Sequence, residues 1–329
     1  MKQIGINGFG RIGRYFTRLA LSQNDINIAV VNDLADIKTL AHLLKYDSIH
    51  GKLPLSFSIL DNKIIFENGK EIIFIKEKNP EQIPWGSYNV EIVLESTGLF
   101  LTNEEAGKHL KGGAKKVIIS APAKTEDVKT VVLGVNDNLL TEDDVIISNA
   151  SCTTNSAAPL IKVMLELCEI ESAFINTVHS YTSDQRLHDS PHSDLRRARA
   201  ANLSIVPTTT GAAKAITRIF PELEGKVGGG GMRVPVPDGS LTDLTLVVKK
   251  APSAEEINAA MKKASETYLK GILAYTDEPL VSIDIVGNPN SSIYDSELTT
   301  VVGNMIKIVG WYDNEAGYSN RLVELAKRI

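Results

Sequence analysis

The sequence predicts an α/β first domain joined to an α+β second domain whose sheet is mostly antiparallel. Three observations carry that expectation. Through residue 150, short apolar runs alternate with amphipathic stretches, as in a parallel sheet whose strands are crossed over by helices. A glycine-rich turn lies directly between the first run and the first amphipathic stretch. Beyond residue 150 the alternation gives way to longer strands and isolated helices. A chain of 329 residues exceeds what one hydrophobic core usually holds, so division into domains is expected from size alone.

Composition narrows the function classes. Hydrophobic residues make up 43% and charged residues 23%, ordinary values for a globular protein. A net charge of −5 gives no general pull toward nucleic acid or an anionic membrane, so any anion site must be local. Two cysteines, Cys152 and Cys168, cannot make a disulfide framework and are spaced unlike a zinc site, so no metal is expected. No apolar run is long enough to span a bilayer, and Met1–Ile6 leads straight into a strand with no signal-peptide core. A cytoplasmic protein with reduced thiols, requiring neither membrane nor nucleic acid, is the expectation.

Ile4–Asn7 reads as a short apolar strand, and Gly8-Phe9-Gly10-Arg11-Ile12-Gly13 opens a helix running to about Ser22. In that setting Gly8 makes the tight turn, Gly10 admits a pyrophosphate and Gly13 allows close helix–strand packing, with the helix N-terminus toward the phosphates. The next strand, Ile28–Val31, ends at Asn32-Asp33, twenty residues past Gly13, where a Rossmann dinucleotide-binding domain places an acid on the adenosine ribose. Asp33 would repel a 2′-phosphate, so NAD is expected over NADP. A helix over Asp36–Leu44, strands at Lys63–Phe66 and Glu71–Ile75 joined through Asn68-Gly69, and strands at Glu91–Leu94, Val117–Ile119, Val131–Leu133 and Val145–Ile147 complete the domain.

The last of these strands leads to Asn149-Ala150-Ser151-Cys152-Thr153-Thr154-Asn155 and a helix with apolar residues at Leu160, Ile161, Met164, Leu165 and Cys168. Pro159 is read as lying in its first turn. A cysteine at this junction faces free backbone N–H groups and the positive end of the helix dipole, which favour thiolate. Ser151, Thr153 and Thr154 add donors for an anion. Cys168, on the apolar stripe, reads as a small core hydrophobe. Ser172–Val178 forms a strand ending at His179, whose neutral imidazole, pKa near ~6.5, can take a proton from a thiol near ~8.5. The polar segment Ser180–Thr209, with Arg186, Arg196, Arg197 and Arg199, is long enough to be functional, and Thr208-Thr209-Thr210-Gly211 opens another helix that could hold phosphate. A strand over Leu241–Val248 and helices over Ser253–Leu269 and Gly317–Ile329 follow.

The chain resembles the phosphorylating glyceraldehyde-3-phosphate dehydrogenases over nearly its full length. Ile6–Arg14, Ser151–Asn155 and Asp194–Arg199 carry the resemblance, continued by Thr210–Lys214, Arg233–Pro235 and Trp311–Glu315. It implies an NAD-binding Rossmann domain over 1–150, a catalytic domain over 151–314, and a C-terminal helix, 315–329, packing back on the first domain. It makes Cys152 the nucleophile and His179 its activator. Beside the glycines, Arg11, Ile12, Asp33, Lys78 and Ser120 would contact NAD, and Asn314 would hold the nicotinamide carboxamide. Ser151, Thr153, Thr182, Arg197, Thr210, Gly211 and Arg233 would line pockets for the substrate phosphate and for inorganic phosphate. The implied activity is oxidative phosphorylation of glyceraldehyde 3-phosphate to 1,3-bisphosphoglycerate in glycolysis and gluconeogenesis, by a homotetramer.

The sequence departs from the family at three places. Lys78 stands where an arginine usually lies beside the adenine, Ser156 replaces a second cysteine, and Gly228–Gly231 is unusually glycine-rich. Erythrose-4-phosphate oxidation on the same scaffold is the nearest alternative. A cysteine–histidine hydrolase and a non-catalytic binding protein are more distant ones: the first leaves the dinucleotide fingerprint unused, the second leaves Cys152 and His179 unused.

Overall fold

A computed structural model describes residues 1–329 as two compact units. The first comprises 1–131, 139–150 and 319–329, and the second 132–138 and 151–318.

In the first unit, β1 (Lys2–Asn7), β2 (Ile26–Asn32), β3 (Phe57–Leu60), β4 (Lys63–Phe66), β5 (Glu71–Ile75), β6 (Ile92–Glu95), β7 (Lys116–Ile119), β8 (Lys129–Thr130) and β9 (Ile146–Ser148) form one sheet. Its order is β8-β9-β7-β6-β1-β2-β5-β4-β3. Pairing is parallel from β8 through β5, and β4 and β3 add an antiparallel edge. The near-continuous apolar runs follow from burial on both faces, as at Ile4, Ile6, Val30, Val31, Val93 and Leu94. Helices α1 (Arg11–Leu21), α2 (Ile37–Lys45) and α3 (Asn103–Lys111) connect the parallel strands. Asp36 caps α2 through the Thr39 amide, and Thr102 with Glu105 closes a capping box on α3.

The C-terminal ends of β1, β2 and β6 are in register at Asn7, Asn32 and Glu95, all buried. Asn32 Nδ2 donates to Asn7 Oδ1 at 2.8 Å, and Asn7 Nδ2 donates to Glu95 Oε2 at 2.7 Å. His109 Nδ1 accepts from Trp85 Nε1 at 3.0 Å, so the ring hydrogen sits on Nε2, 2.9 Å from Glu95 Oε2. Glu95 Oε1 takes the Thr97 amide at 2.8 Å. A fully paired buried network of this kind rigidifies the strand ends beneath the glycine turn.

Val131–Leu133, read as a strand, is not one. The pairing strand is Lys129–Thr130, and the Val132 amide is taken at 2.8 Å by Asn136 Oδ1 in a turn instead of by a ladder. The Val131 amide still donates to the Ser148 carbonyl at 2.8 Å, and beyond it the apolar run reflects burial, since Val131, Val132 and Leu133 are all in the core.

In the second unit, β10 (Ile170–Ser180), β11 (Val206–Thr208), β12 (Val227–Val234), β13 (Ser240–Val248), β14 (Leu273–Thr276), β15 (Ser292–Val302) and β16 (Met305–Tyr312) form a sheet of order β11-β12-β10-β13-β16-β15-β14. Four of its six pairings are antiparallel, and β12/β10 and β15/β14 are parallel. The helix α4 (Cys152–Leu167) packs on this sheet, flanked by α5 (Ala212–Ile219) and α6 (Ala254–Glu266), while α7 (Ala316–Arg328) closes the chain. Helix α4 begins at Cys152, so Pro159 lies in its interior and not in its first turn. It is buried there, and having no N–H it cannot make the i→i−4 bond of its turn.

The glycine run Gly228–Gly231 lies inside β12, a strand that glycine propensity hides. A Cβ at Gly229 would stand 3.1 Å from the Ile175 carbonyl oxygen and 3.2 Å from the Ala213 Cβ. Gly229 lets the start of α5 lie directly on the sheet.

Candidate active site

Each reactive side chain is placed by local backbone. The chain leaves β9 through Ala150, whose φ of +55° is a left-handed conformation rare for a residue with a Cβ. Ser151 then caps α4, its Oγ accepting from the Thr154 amide at 3.1 Å. Cys152 is thereby set in the first turn. Burial pushes its thiol up, and Arg233, the amide and hydroxyl of Thr153 and the Cys152 amide pull it back.

The imidazole comes from the sheet. His179 and Arg233 are opposite one another on β10 and β12, and Ser240 and Tyr312 on β13 and β16, so four adjacent strands end in one row. His179 Nε2 lies 3.4 Å from Cys152 Sγ, and Nδ1 lies 2.7 Å from the Ser180 carbonyl oxygen. In the tautomer that carries its hydrogen on Nδ1, that carbonyl accepts it and the Nε2 lone pair is toward sulfur. Arg233 Nη1 donates to the same carbonyl at 3.1 Å and also abuts Nδ1. Burial first, then the Arg233 charge, lower the His179 pKa to about 3. Withdrawal from water favours the neutral form of each group, against the pull of the helix terminus and its N–H groups on the thiol.

The turn of the first unit is equally specific. Gly8 has φ +93°, and a Cβ there would meet the Thr97 amide nitrogen at 2.8 Å. A Cβ on Gly13 would stand 2.4 Å from the Gly8 carbonyl oxygen, whereas at Gly10 the space is open. The Asp33 carboxylate accepts the Phe9 amide at 2.7 Å and the Ala35 amide at 2.9 Å, and is held rigid between strand end and glycine turn. These residues fit a dinucleotide: an open approach at Gly10, first-turn amides of α1, and a carboxylate with lone pairs to spare.

Comparison with known proteins agrees with that chemistry. The family model "Glyceraldehyde 3-phosphate dehydrogenase, NAD binding domain" matches residues 2–103, and the model for the C-terminal domain of the same family matches 151–314. The chain is 56% identical over 329 residues to glyceraldehyde-3-phosphate dehydrogenase of Geobacillus stearothermophilus, covering 99% of this chain and 98% of that one. Glyceraldehyde-3-phosphate dehydrogenase 1 of Bacillus subtilis (strain 168) is 53% identical over 329 residues and the Mycobacterium avium enzyme 55% over 333, each again covering 99% of this chain and 98% of the relative. The chain belongs to the glyceraldehyde-3-phosphate dehydrogenase family.

In this glyceraldehyde-3-phosphate dehydrogenase family member several of the remaining expected residues are already engaged. Ser151 Oγ caps α4 and lies 2.8 Å from Thr154 Oγ1. Arg197 Nε donates to Thr208 Oγ1 at 2.9 Å, and its Nη1 pairs with Asp184 at 2.5 Å. Thr182 begins a turn closed by Gln185, and Thr210 Oγ1 takes the Ala212 amide at 3.2 Å beside Gly211, the N-cap of α5. Arg11 makes a bidentate pair with Asp47 at 2.8 and 3.0 Å, so its guanidinium is turned onto a side chain and its amide stays in the first turn of α1. Ile12 and Ser120 are half-buried, and Lys78 is exposed. Cys168 ends α4 with its thiol on the Met164 carbonyl.

Tyr312 is a site residue that the sequence marks only as part of the Trp311–Glu315 stretch. Thr177 Oγ1 donates to the Leu241 carbonyl at 3.0 Å, so it accepts from Tyr312 at 2.8 Å. The tyrosine hydroxyl then accepts from Thr153 at 2.9 Å. The Tyr312 ring stands edge-on to His179, centroids 5.9 Å apart at 79°.

Proposed function

We propose that the chain oxidises glyceraldehyde 3-phosphate to 1,3-bisphosphoglycerate, with NAD as the oxidant and inorganic phosphate as co-substrate. The observation that carries the reading is Cys152 Sγ at 3.4 Å from His179 Nε2, with Arg233 against the same imidazole. Cys152 is the nucleophile: its sulfur adds to the aldehyde carbon while Nε2 takes the thiol proton, giving a thiohemiacetal. The amide of Cys152, at the helix start, is positioned to donate to the developing oxyanion. Bound NAD supplies the hydride acceptor that turns the thiohemiacetal into a thioester. Phosphate oxygen then attacks the acyl carbon, the C–S bond breaks, and Cys152 leaves as thiolate to be reprotonated by His179. Holding phosphate in advance makes that second step effectively intramolecular.

Arg233, Thr182, Arg197 and Thr153, with Ser151, Thr210 and Gly211, would hold the two anions; exchange of the Arg197–Asp184 pair for a phosphate is part of that reading. Gly8, Gly10, Gly13, Arg11, Ile12, Asp33, Lys78 and Ser120 would hold the dinucleotide. Asn314 would hold its carboxamide. Exposed Phe174, Leu195, Leu203 and Ile205 suit burial against further copies in a homotetramer, checked by sedimentation. The two free cysteines suit a cytoplasmic setting. The deciding experiment is stopped-flow formation of NADH with glyceraldehyde 3-phosphate. A burst that survives phosphate omission while steady turnover stops is expected, and turnover indifferent to phosphate would overturn the proposal.

A further inference from the structure

Asn314 is held by two buried hydroxyls. Ser180 Oγ and Ser240 Oγ each donate to Asn314 Oδ1 at 2.8 Å. Ser180 is 0% exposed, Ser240 1% and Asn314 7%. With the amide turned the other way, both serine hydrogens would face an NH2 group and be buried without an acceptor. The carboxamide oxygen is therefore inward, and Nδ2, with no partner in the protein, is the atom left to offer.

Ser180 has every other polar atom committed as well. Its amide donates to Ser240 Oγ at 3.1 Å, and its carbonyl accepts from His179 Nδ1 at 2.7 Å and from Arg233 at 3.1 Å. One residue thus ties the orientation of the imidazole to the orientation of the Asn314 amide. Nothing in the local sequence pairs these groups, since Ser180 and Asn314 are 134 residues apart.

We propose that Ser180 and Ser240 are positioning residues whose hydroxyls lock the Asn314 amide with its NH2 outward, selecting a ligand that presents a carbonyl acceptor, here the carboxamide of nicotinamide. The inference rests on the reading of Asn314 as the group that holds that carboxamide. The serines touch neither substrate nor cofactor; they act through Asn314.

The test uses the full chain titrated calorimetrically with NAD and with ADP-ribose, which lacks the nicotinamide. Ser180→Ala and Ser240→Ala are each expected to weaken NAD about 3- to 10-fold, one lost hydrogen bond's worth, and to leave ADP-ribose within about twofold. In an Asn314→Ala background the serine substitutions should add nothing. Equal weakening of both ligands would mean a merely structural role and would overturn the proposal. If Asn314→Ala moves the ratio of the two affinities and the serine variants do not, the proposal alone fails. If Asn314→Ala leaves the ratio unmoved, the reading of Asn314 fails and takes the proposal with it. Alkylation of Cys152 by iodoacetamide across pH, without NAD, is the second readout. Because Ser180→Ala keeps the carbonyl that holds His179, its profile should match the parent protein, and a displaced profile would also count against the proposal.

Discussion

Cys152 Sγ faces His179 Nε2 at 3.4 Å, and in the tautomer whose Nδ1 hydrogen goes to the Ser180 carbonyl, Nε2 is the nitrogen free to take the thiol proton. Replacing His179 by Asn removes the base and leaves the nucleophile. The NADH burst with glyceraldehyde 3-phosphate should slow by about 10²- to 10⁴-fold. Cys152→Ala should abolish it. A His179→Asn burst at parental speed would show that another group takes the proton.

The same burial makes the site acid-sensitive. His179 has a pKa of about 3 in the fold against an unfolded value near ~6.5, so between those limits the unfolded chain binds a proton that the folded chain does not. Stability from this residue is full above ~6.5 and is lost as pH falls through the window. From pH 7 to pH 5 the loss is about 2 kcal/mol, a share that His179→Asn should not suffer. Denaturant midpoints at the two pH values measure it; an equal pH dependence in parent and variant would refute the assignment.

How much of this site is legible in the sequence depends on how local its causes are. The glycines at 8, 10 and 13, Asp33 at a strand end and Cys152 at a helix start each need only their neighbours to be recognised. His179, Arg233, Ser240 and Tyr312 come together through register across four strands, which residue pattern alone does not fix. The serine grip on Asn314 is invisible for the same reason. Local signals also mislead: the apolar run Val131–Leu133 is buried but leaves its strand ladder after Val131, and Pro159 sits deep in a helix that its own propensity opposes. The fold class survives such errors because it rests on the order of many elements.

Asp33 receives the Phe9 and Ala35 amides, one on each carboxylate oxygen. Asp33→Asn substitutes an NH2 for one acceptor and removes the charge that opposes a 2′-phosphate. NAD affinity should fall about 10- to 100-fold, as for a lost hydrogen bond to a charged group. The preference for NAD over NADP should narrow. Titration with both dinucleotides checks this, and an unchanged preference would place the discriminating charge elsewhere.

The glycine run of β12 separates space from flexibility. At Gly229 a Cβ meets the backbone oxygen of Ile175 at 3.1 Å, Ala213 Cβ at 3.2 Å and Thr210 Cγ2 at 3.4 Å. A carbonyl fixed in a ladder cannot give way, so α5 must lift. Overpacking of this kind costs about 1–3 kcal/mol, and Gly229→Ala should lower the melting temperature by a few degrees. One residue on, a Cβ at Gly230 has only the rim of Phe174 at 3.8 Å, an ordinary contact. Gly230→Ala should be neutral or stabilising by up to about 1 kcal/mol, because it removes freedom from the unfolded chain without adding a clash. Equal melting temperatures for the two variants would mean that α5 does not rest on Gly229. Thr210 and Gly211 open that helix, so Gly229→Ala should also raise the KM for inorganic phosphate more than it lowers kcat, with Gly230→Ala changing neither.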